Sequence, residues 1–419
     1  MRLGSQSELF CLGAIPLVGN LETGGIIGLT NEGNRLCRAM KERDVSEDEV
    51  PASCLELAEH LRAGGYLGES EGEPAPATLR SAYLHVTQRC NLRCRFCYSE
   101  DEGRNVLPDP STEELETAIE LLATMGARRL IISGGEPLLR PDLPNLARFA
   151  REAGFAEIVL LTNGLFVTNE SVLPLRDVVD CMGIAFDGCG PDDVAHLRGS
   201  QRFGRLVEAV RTCLDAGIAV RIMPTLHAGN LADLDRYAEL ARSLGASLGF
   251  SLLTAPLSEL GDLAIGEKGL ATLGRRAATG GIGIEDSLSG GGIAVRRSCG
   301  AGVRTLSVAA DGTIYPCHML HDPRLAMGNA FTDDTETVRS SKVARTFATL
   351  DAADIERCGA CSFRYLCAGG CRARAFLDTG SITACDPYCA LSRSYYERVG
   401  ELLEKRYGSR GGERDAVRT

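Results

Sequence analysis

The chain of 419 residues lacks three features that would place it in other protein classes. It lacks an excess of basic residues. Its 45 Lys and Arg against 56 Asp and Glu give a net charge of −11, which argues against nucleic acid as its main partner. It lacks any apolar run near the ~18 residues that cross a bilayer, so we expect no membrane segment. It lacks a visible secretory signal, because Met1–Gly4 has one basic residue and Glu8 precedes the first apolar patch. We therefore expect a cytoplasmic protein.

Cysteine, in contrast, is abundant, with 17 residues. In a reducing compartment these are not expected to form disulfides, which leaves buried thiols or metal ligands. Isolated cysteines fit the first role: Cys11, Cys37, Cys54, Cys181, Cys189 and Cys213. The others form a C-x3-C-x2-C triplet and a C-terminal set: Cys90, Cys94, Cys97, and then Cys299, Cys317, Cys358, Cys361, Cys367, Cys371, Cys385 and Cys389. Chance would rarely produce this grouping, which predicts a site for a soft metal, either zinc or iron–sulfur.

Residues 1–76 are predicted to form a small winged-helix-like module. Short apolar segments within Leu9–Leu29, with turn signals at Gly19–Asn20 and Gly24–Gly25, predict a hairpin or a three-stranded ribbon. Two helices are expected to follow, the second of them opening at Ser46. The acidic, proline-containing segment Glu69–Pro76 is predicted to be a linker.

Residues 77–255 alternate between strand and helix patterns, which predicts an α/β fold. The expected strands are Ala82–Val86, Arg129–Ile132, Glu157–Leu161, Met182–Phe186, Ala219–Met223 and Leu248–Leu253. The first helix between them is expected to begin with a capping box at Ser111–Glu114. Repeated βα units build a parallel sheet, either doubly wound or a partial barrel, with the ligand at the C-terminal strand ends. The cysteine triplet follows the first strand, at that end of the sheet.

The rest of the chain shows less regular pattern. It contains a Gly-rich stretch, Gly280–Gly292, and a predicted hairpin of Thr305–Ala309 and Thr313–Tyr315. A segment with little hydrophobic periodicity and much cysteine is often held together by metal. An amphipathic helix is expected from Leu391 to Tyr407. The predicted divisions are a connector at 256–298, a cysteine-rich domain at 299–395, and a C-terminal helix and tail at 396–419.

The triplet can bind three irons of a [4Fe–4S] cube and leave the fourth iron open, whereas structural zinc prefers four protein ligands. The segment from Cys90 to Tyr98, CNLRCRFCY, resembles the signature of the radical SAM family. That resemblance implies a partial (β/α)6 TIM-like barrel and a catalytic [4Fe–4S] cluster held by Cys90, Cys94 and Cys97. It also implies that S-adenosylmethionine chelates the open iron and is cleaved to a 5′-deoxyadenosyl radical, which abstracts a substrate hydrogen.

Further segments at strand ends resemble motifs of the same family, although each by itself is also typical of an ordinary turn. Gly134-Gly135-Glu136-Pro137 resembles the GGEP motif, which the family assigns to the methionine amino group, and Thr162-Asn163-Gly164 resembles TNG. Ala185-Phe186-Asp187-Gly188 departs from Ser-Leu-Asp-Gly at its first residue and leaves Asp187 as a candidate near the ribose. Arg198-Gly199 resembles a pair that meets the carboxylate. The implied cofactor-binding residues are Gly134, Gly135, Glu136, Pro137, Asn163, Asp187 and Arg198.

The C-terminal cysteine spacing resembles a SPASM domain, which holds two auxiliary iron–sulfur clusters in its family. The resemblance implies a distal cluster bound by Cys358, Cys361, Cys367 and Cys389, and a nearer cluster bound by Cys299, Cys317 and Cys371. For the fourth ligand of the nearer cluster, Cys385 is the local candidate and an iron open to substrate is the alternative. Zinc is the alternative metal. The clusters serve either electron transfer or substrate ligation, and the sequence leaves both open.

The N-terminal module, with Gly25–Gly33 at its junction, resembles the PqqD-like element of peptide-modifying enzymes. In such relatives a leader peptide adds a strand to the ribbon edge, a mode called β-augmentation. We therefore expect a radical SAM enzyme that modifies a ribosomally synthesised precursor peptide by crosslinking, oxidation, epimerisation or decarboxylation. Its expected partners are that peptide, bound through the N-terminal module, and an external electron donor.

Several alternatives remain. One is a SPASM enzyme that acts on a small molecule, a tetrapyrrole or a sulfatase-type protein. Another is a non-catalytic iron–sulfur electron carrier or regulator, against which the intact triplet and Gly134–Pro137 argue. For the N-terminal module alone, the alternative is a DNA-binding winged helix, which the acidic balance disfavours. The sequence does not indicate which residue acts as a catalytic acid or base.

Overall fold

The computed structural model describes residues 1–68, 78–99, 104–198, 202–280, 282–284 and 293–407. The predicted linker Glu69–Pro76, Gly199, most of the Gly-rich stretch and the tail from 408 onwards lie outside these residues. The strands are β1 Ser7–Leu12, β2 Ile15–Asn20, β3 Ile26–Gly28, β4 Ser81–His85, β5 Arg129–Ser133, β6 Glu157–Thr162, β7 Cys181–Phe186, β8 Ala219–Leu226, β9 Ser247–Leu248, β10 Ser251–Leu252, β11 Thr305–Val308, β12 Thr313–Tyr315 and β13 Gly328–Asn329.

Helices alternate with the strands of the central region, and further helices lie in the N-terminal module and in the C-terminal third of the chain. They are α1 Asn31–Glu42, α2 Leu55–Ala63, α3 Thr112–Thr124, α4 Leu143–Glu152, α5 Asn169–Val172, α6 Phe203–Asp215, α7 Leu234–Leu244, α8 Leu257–Leu260, α9 Glu267–Ala278, α10 Thr335–Ser340, α11 Lys342–Thr349, α12 Arg364–Cys367, α13 Arg372–Thr379 and α14 Cys389–Tyr407. In the part of the chain that the structure describes, none of them is both long and apolar enough to traverse a bilayer.

The central sheet runs in the order β10-β8-β7-β6-β5-β4-β11-β12-β13, with β9 also paired to β8. Neighbouring strands from β4 to β8 are parallel, and β10 is parallel to β8, as a partial barrel requires. On β4, Ala82 and Leu84 pack into the layer beneath the helices, whereas Ser81 and Tyr83 face the barrel interior. This alternation follows the two-residue period of a strand. The predicted partial barrel is therefore confirmed.

Most predicted elements of the barrel agree with the structure, and one does not. The capping box before α3 is present, since Ser111 Oγ accepts the Glu114 N–H and the Glu114 carboxylate accepts the Ser111 N–H. The single strand predicted at Leu248–Leu253 is wrong, because the segment forms β9 and β10 with a break between them. At the break the Gly249 N–H donates to the Ile222 carbonyl, and Phe250 forms a bridge with Ile284 outside the barrel strands.

The hairpin predicted in the cysteine-rich segment extends the barrel sheet instead of standing apart from it. Its first strand, β11, pairs in parallel with β4, and its second, β12, pairs antiparallel with β11. Cys299 precedes this hairpin and Cys317 follows it, while Cys90 follows β4. One continuous sheet therefore joins the triplet to Cys299 and Cys317 of the C-terminal set.

The N-terminal module is an antiparallel sheet β1-β2-β3 with α1 and α2 packed on it, but two of its predicted boundaries are wrong. The first turn lies at Gly13, where φ is +59°, and not at Gly19–Asn20, which belongs to β2. Ser46 opens only a 3-10 turn at Glu47–Glu49. Pro51, which has no N–H to donate, follows that turn, and α2 begins later, at Leu55.

This module is fixed to the C-terminal helix, which begins at Cys389, two residues before the predicted start. Leu12 and Leu17 share an apolar cluster with Tyr396 and Val399 of α14. At the closest approach, a Cβ on Gly400 would lie 2.7 Å from the Gly13 nitrogen, so only glycine fits there. The N-terminal module and the barrel thus form one packed body through α14.

Candidate active site

A cavity of about 520 Å³ occupies the barrel interior and the face against the cysteine-rich region. Cysteines from both groups line it: Cys90, Cys94 and Cys97 from the triplet, and Cys299, Cys317, Cys367 and Cys371 from the C-terminal set. The spacing patterns predicted two groups of cysteine ligands, for one catalytic and two auxiliary clusters. The structure brings members of both groups to the wall of one chamber.

The triplet loop is fixed by hydrogen bonds to residues outside it. The Cys90 N–H donates to Asn105 Oδ1 at 2.9 Å, and Asn105 Nδ2 returns a bond to the Cys90 carbonyl at 3.2 Å. Further along, the Arg95 N–H donates to the Leu197 carbonyl at 2.7 Å. Phe96 has φ +60°, a conformation that costs a non-glycine residue about 1–3 kcal/mol. The surrounding protein therefore imposes the path of this loop.

Gly134 and Gly135 bring the end of β5 against the segment that leads to the triplet. The Gly135 N–H donates to the Thr87 carbonyl, and the Glu136 N–H donates to the Arg89 carbonyl, both at 2.8 Å. A Cβ on Gly134 would overlap the Thr87 carbonyl, and one on Gly135 would overlap the Arg89 carbonyl. Both glycines also line the cavity. The Cβ position of each glycine meets this backbone, so the close contact leaves no room for a side chain.

Glu136 is fully buried and does not line the cavity. It accepts hydrogen bonds from Thr162 Oγ1 and the Asn163 N–H at 2.8 Å, and from the Leu138 N–H at 3.1 Å. Burial raises the pKa of Glu136, although the three hydrogen bonds act in the opposite direction. In this geometry Glu136 ties the end of β5 to the end of β6, and the next residue, the buried Pro137, starts a 3-10 turn.

The remaining strand-end motifs meet beside the triplet. Asn163 Nδ2 donates to Asn91 Oδ1 at 2.8 Å, which links the end of β6 to the cysteine loop. The Asp187 carboxylate accepts the N–H groups of Leu197 and Arg198, both at 2.8 Å. Asn163, Asp187 and Arg198 also line a small recess next to the main cavity. The structure thus brings the predicted cofactor residues to one end of the barrel.

Arg104 is a residue of this site that no sequence pattern indicated. It is 2% exposed, and its guanidinium donates to Ser99 Oγ at 2.8 Å and to Cys97 Sγ at 3.5 Å. Burial raises the pKa of the neighbouring Cys94 thiol to about 11. A thiolate-bound iron–sulfur cluster carries negative charge, and a buried cation at the sulfur stabilises that charge. The sequence did not indicate Arg104, because a single arginine outside any motif carries no spacing information.

The donor set fits the iron–sulfur cluster that the resemblance implies. Three thiols, Cys90, Cys94 and Cys97, face one cavity beside a buried arginine. A cubane takes one cysteine at each iron, so its ligands need not converge on one point. Among the described residues, no group of three or more His, Cys, Asp or Glu side chains is placed to hold a single metal ion.

The C-terminal set divides into two neighbourhoods. Cys299, Cys317 and Cys371 line the cavity together with Cys367, which the resemblance assigns to the distal cluster, whereas Cys385 does not. Burial, followed by the adjacent Cys389, raises the pKa of Cys385 to about 11. Burial also raises the pKa of Cys358 to about 12, with Cys385 as the next cause. Cys385 thus lies near Cys358 and Cys389 of the distal set, and the fourth ligand of the nearer cluster stays a prediction.

A buried ion pair supports the nearer cysteines and was also missed from sequence. Arg374 donates to both carboxylate oxygens of Asp386, at 3.0 and 2.8 Å, with side-chain exposures of 3% and 4%. The Asp386 carboxylate accepts the Cys371 N–H at 2.7 Å and the Tyr388 N–H at 2.9 Å. Burial would raise the pKa of Asp386, but the charge and hydrogen bonds of Arg374 lower it overall. Cys371 is thus held by a charge pair that links α13 to the start of α14.

Comparison with known proteins agrees with this geometry. The sequence profile of the radical SAM superfamily matches residues 84–241, and that of the SPASM iron–sulfur cluster-binding domain matches residues 299–362. Mycofactocin maturase MftC of Mycobacterium tuberculosis is 30% identical over 327 residues, 74% of this chain and 82% of the relative. AdoMet-dependent heme synthase of Methanosarcina barkeri is 29% identical over 73% of this chain and 94% of the relative. PqqA peptide cyclase of Gluconobacter oxydans is 27% identical over 78% and 95%.

Solved structures show the same fold. The structure of anSMEcpe with bound AdoMet aligns with a TM-score of 0.64 at 17% identity, over 78% of this chain and 98% of that chain. Streptococcus suis SuiB bound to precursor peptide SuiA aligns with a TM-score of 0.60 at 16% identity, over 93% and 100%. The alignment with SuiB is long enough to include most of the N-terminal module. Motifs, cavity and relatives agree, and the chain belongs to the radical SAM superfamily as an enzyme with a SPASM domain.

Proposed function

We propose that this enzyme modifies a ribosomally synthesised precursor peptide inside the barrel cavity. As a radical SAM enzyme it uses a [4Fe–4S] cluster and S-adenosylmethionine, and its SPASM domain binds auxiliary iron–sulfur clusters. The observation that carries the proposal is the cavity that Cys90, Cys94 and Cys97 share with Cys299, Cys317 and Cys371, in a chain with a strand-bearing module at its N-terminus. In support of a peptide substrate, the similar proteins include a PqqA peptide cyclase, a mycofactocin maturase and SuiB bound to its precursor peptide.

The residues of this chain have distinct roles in the proposal. Cys90, Cys94 and Cys97 hold the catalytic cluster, which with S-adenosylmethionine supplies a carbon radical for hydrogen abstraction. Gly134, Gly135 and Asn163 offer backbone and amide groups to the cofactor, Arg198 offers a cation to its carboxylate, and Asp187 and Glu136 hold these segments in place. The barrel wall limits access of water to the reacting groups. An external donor supplies electrons.

The N-terminal module is proposed to bind the leader of the precursor at the outer edge of β3. That strand pairs with β2 on one side, and among the described residues no strand pairs with its other side. The Asn20 N–H donates to Gly25 and the Leu29 N–H donates to Pro16, so by the antiparallel alternation Ile27 also bonds inward. The N–H and C=O groups of Ile26 and Gly28 then point outward, where an added strand can pair with them.

The test uses the peptide encoded by a short reading frame next to the gene. The reconstituted, reduced enzyme should change the mass of that peptide and release 5′-deoxyadenosine. Gly28→Pro removes one outward N–H and should weaken peptide binding, whereas Gly28→Ala keeps it and should not. The alanine fits because its Cβ would meet only Leu17, at 3.9 Å. Equal affinity of the two variants would contradict the leader site, and an unchanged mass would contradict the peptide substrate.

A second candidate is a tetrapyrrole substrate. The observation in its favour is that AdoMet-dependent heme synthases and an Fe-coproporphyrin III synthase are among the relatives, the latter 33% identical over 39% of its length. Incubation of the enzyme with iron coproporphyrin III under the same conditions separates the two. Conversion of the porphyrin together with no change in the peptide would favour the tetrapyrrole.

A further inference from the structure

A cluster of aromatic rings lies between the two cysteine groups and has no part in the functions assigned above. His85 on β4 is fully buried, and it contacts His321 and Tyr98 with centroid distances of 4.7 and 5.8 Å. His318 stacks on Tyr83 of β4 at 4.0 Å. The edge of the cluster faces the cavity, where Tyr83, Tyr98 and His318 line the wall.

Two of these rings follow cluster ligands directly in sequence. Tyr98 follows Cys97, and His318 follows Cys317 with its Nδ1 3.6 Å from Cys317 Sγ. The rings of Tyr98 and His318 meet edge to face, with centroids 5.3 Å apart and planes at 87°. One ring contact therefore connects the loop of the catalytic cluster to the loop of the nearer auxiliary cluster.

This contact is held in place from both sides. Tyr98 Oη forms a hydrogen bond of 2.6 Å with Ser133 Oγ at the end of β5. His318 is held by its stacking on Tyr83, which pairs with Ser307 across β4 and β11. Because these anchors belong to the sheet that joins the two cysteine groups, the contact does not depend on a bound substrate.

We propose that Tyr98 and His318 form the electron path between the catalytic cluster and the nearer auxiliary cluster. One electron passes from the reduced auxiliary cluster to the oxidised catalytic cluster, so the first is oxidised and the second reduced by one electron. The rings provide close contact for tunnelling and are not themselves oxidised, and no proton moves. The inference rests on the cluster part of the proposed function and is independent of the substrate.

The test uses the full-length reconstituted enzyme without substrate. A laser pulse with a deazaflavin donor injects electrons, and rapid freeze-quench EPR follows their distribution between clusters, with the catalytic signal assigned by its response to S-adenosylmethionine. Tyr98→Leu and His318→Leu should slow equilibration between the clusters several-fold, because each replaces a ring in the path by a shorter side chain. Tyr98→Phe, which loses only the hydroxyl, should equilibrate at the wild-type rate.

Tyr315→Leu is the matched control, because Tyr315 stacks on His321 at 4.6 Å but follows no cluster ligand. The proposal is overturned if the Tyr98 and His318 leucine variants equilibrate at the wild-type rate, or if Tyr315→Leu slows equilibration equally. Iron content is measured for every variant, and Tyr98→Met replaces Tyr98→Leu if the latter loads less iron. A wild-type enzyme that lacks auxiliary clusters would refute the cluster assignment itself and is recognised before any rate is compared.

Discussion

The two cysteine groups of this enzyme are held by different means. Cys90, Cys94 and Cys97 lie on one short loop, and the surrounding strand ends shape that loop through backbone hydrogen bonds and the two glycines at 134 and 135. The auxiliary cysteines extend from Cys299 to Cys389 and are brought together by tertiary packing that includes the buried Arg374–Asp386 pair. The catalytic group is therefore sensitive to local backbone changes, and the auxiliary group to loss of a single buried charge.

The sharpest separation of the groups comes from removing their ligands. Replacement of Cys90, Cys94 and Cys97 by Ala should abolish release of 5′-deoxyadenosine, because the cluster that reduces S-adenosylmethionine is lost, while the auxiliary EPR signals remain. Replacement of Cys299 and Cys317 should leave S-adenosylmethionine cleavage in place and remove one auxiliary signal. Product analysis by chromatography checks both, and cleavage by the triplet variant would contradict the catalytic assignment.

Loss of the buried ion pair between Arg374 and Asp386 should have the next largest effect. Asp386→Asn leaves the Arg374 charge buried without its carboxylate and should destabilise the fold by about 3–5 kcal/mol. The midpoint of thermal unfolding and iron release from the auxiliary sites should both shift. Glu401→Gln is the control, because Glu401 pairs with Arg275 where both side chains are nearly half exposed, and its effect should be much smaller. Equal shifts would mean that Asp386 has no special role.

A methyl group at Gly135 tests how far the catalytic cysteines depend on the local backbone. Gly135→Ala places a Cβ against the Arg89 carbonyl and should destabilise this region by about 1–3 kcal/mol. The catalytic cluster should load poorly while the auxiliary clusters load normally, as iron content and EPR will show. Gly204→Ala, on α6 with nothing within 4 Å of the added carbon, should load all clusters. Auxiliary loss in Gly135→Ala would show that the two groups are not independent.

The smallest expected effect concerns the charge beside Cys97. Arg104→Met keeps most of the buried volume but removes the guanidinium from the sulfur, and should lower the reduction potential of the catalytic cluster. An EPR redox titration measures this shift, and the auxiliary potentials should stay unchanged. Arg148→Met removes an exposed arginine on α4 and serves as the control. A potential that does not change would assign Arg104 a packing role only.

Local pattern was sufficient wherever a feature is set by neighbouring residues. The strand expected at Ala82–Val86 agrees with β4, and Ser111 with Glu114 predicted the start of α3. Spacing also separated the cysteines into a triplet and a C-terminal set. The predicted boundaries were wrong where several glycines could have formed the turn, as at Gly13. They were also wrong where a proline interrupted a predicted helix, as at Pro51.

The sequence by itself determined the repeated βα units, the cysteine groups and the strand-end motifs, because each depends on residue type at a short, fixed spacing. The partial barrel was implied by the resemblance to the radical SAM family. Only the tertiary structure decided that both groups line one cavity, since this follows from the pairing of β11 with β4. It also placed Cys385 near Cys358 and Arg104 beside Cys97. These relations join residues distant in the chain or outside any motif, and contacts of that kind arise from packing, which no local spacing encodes.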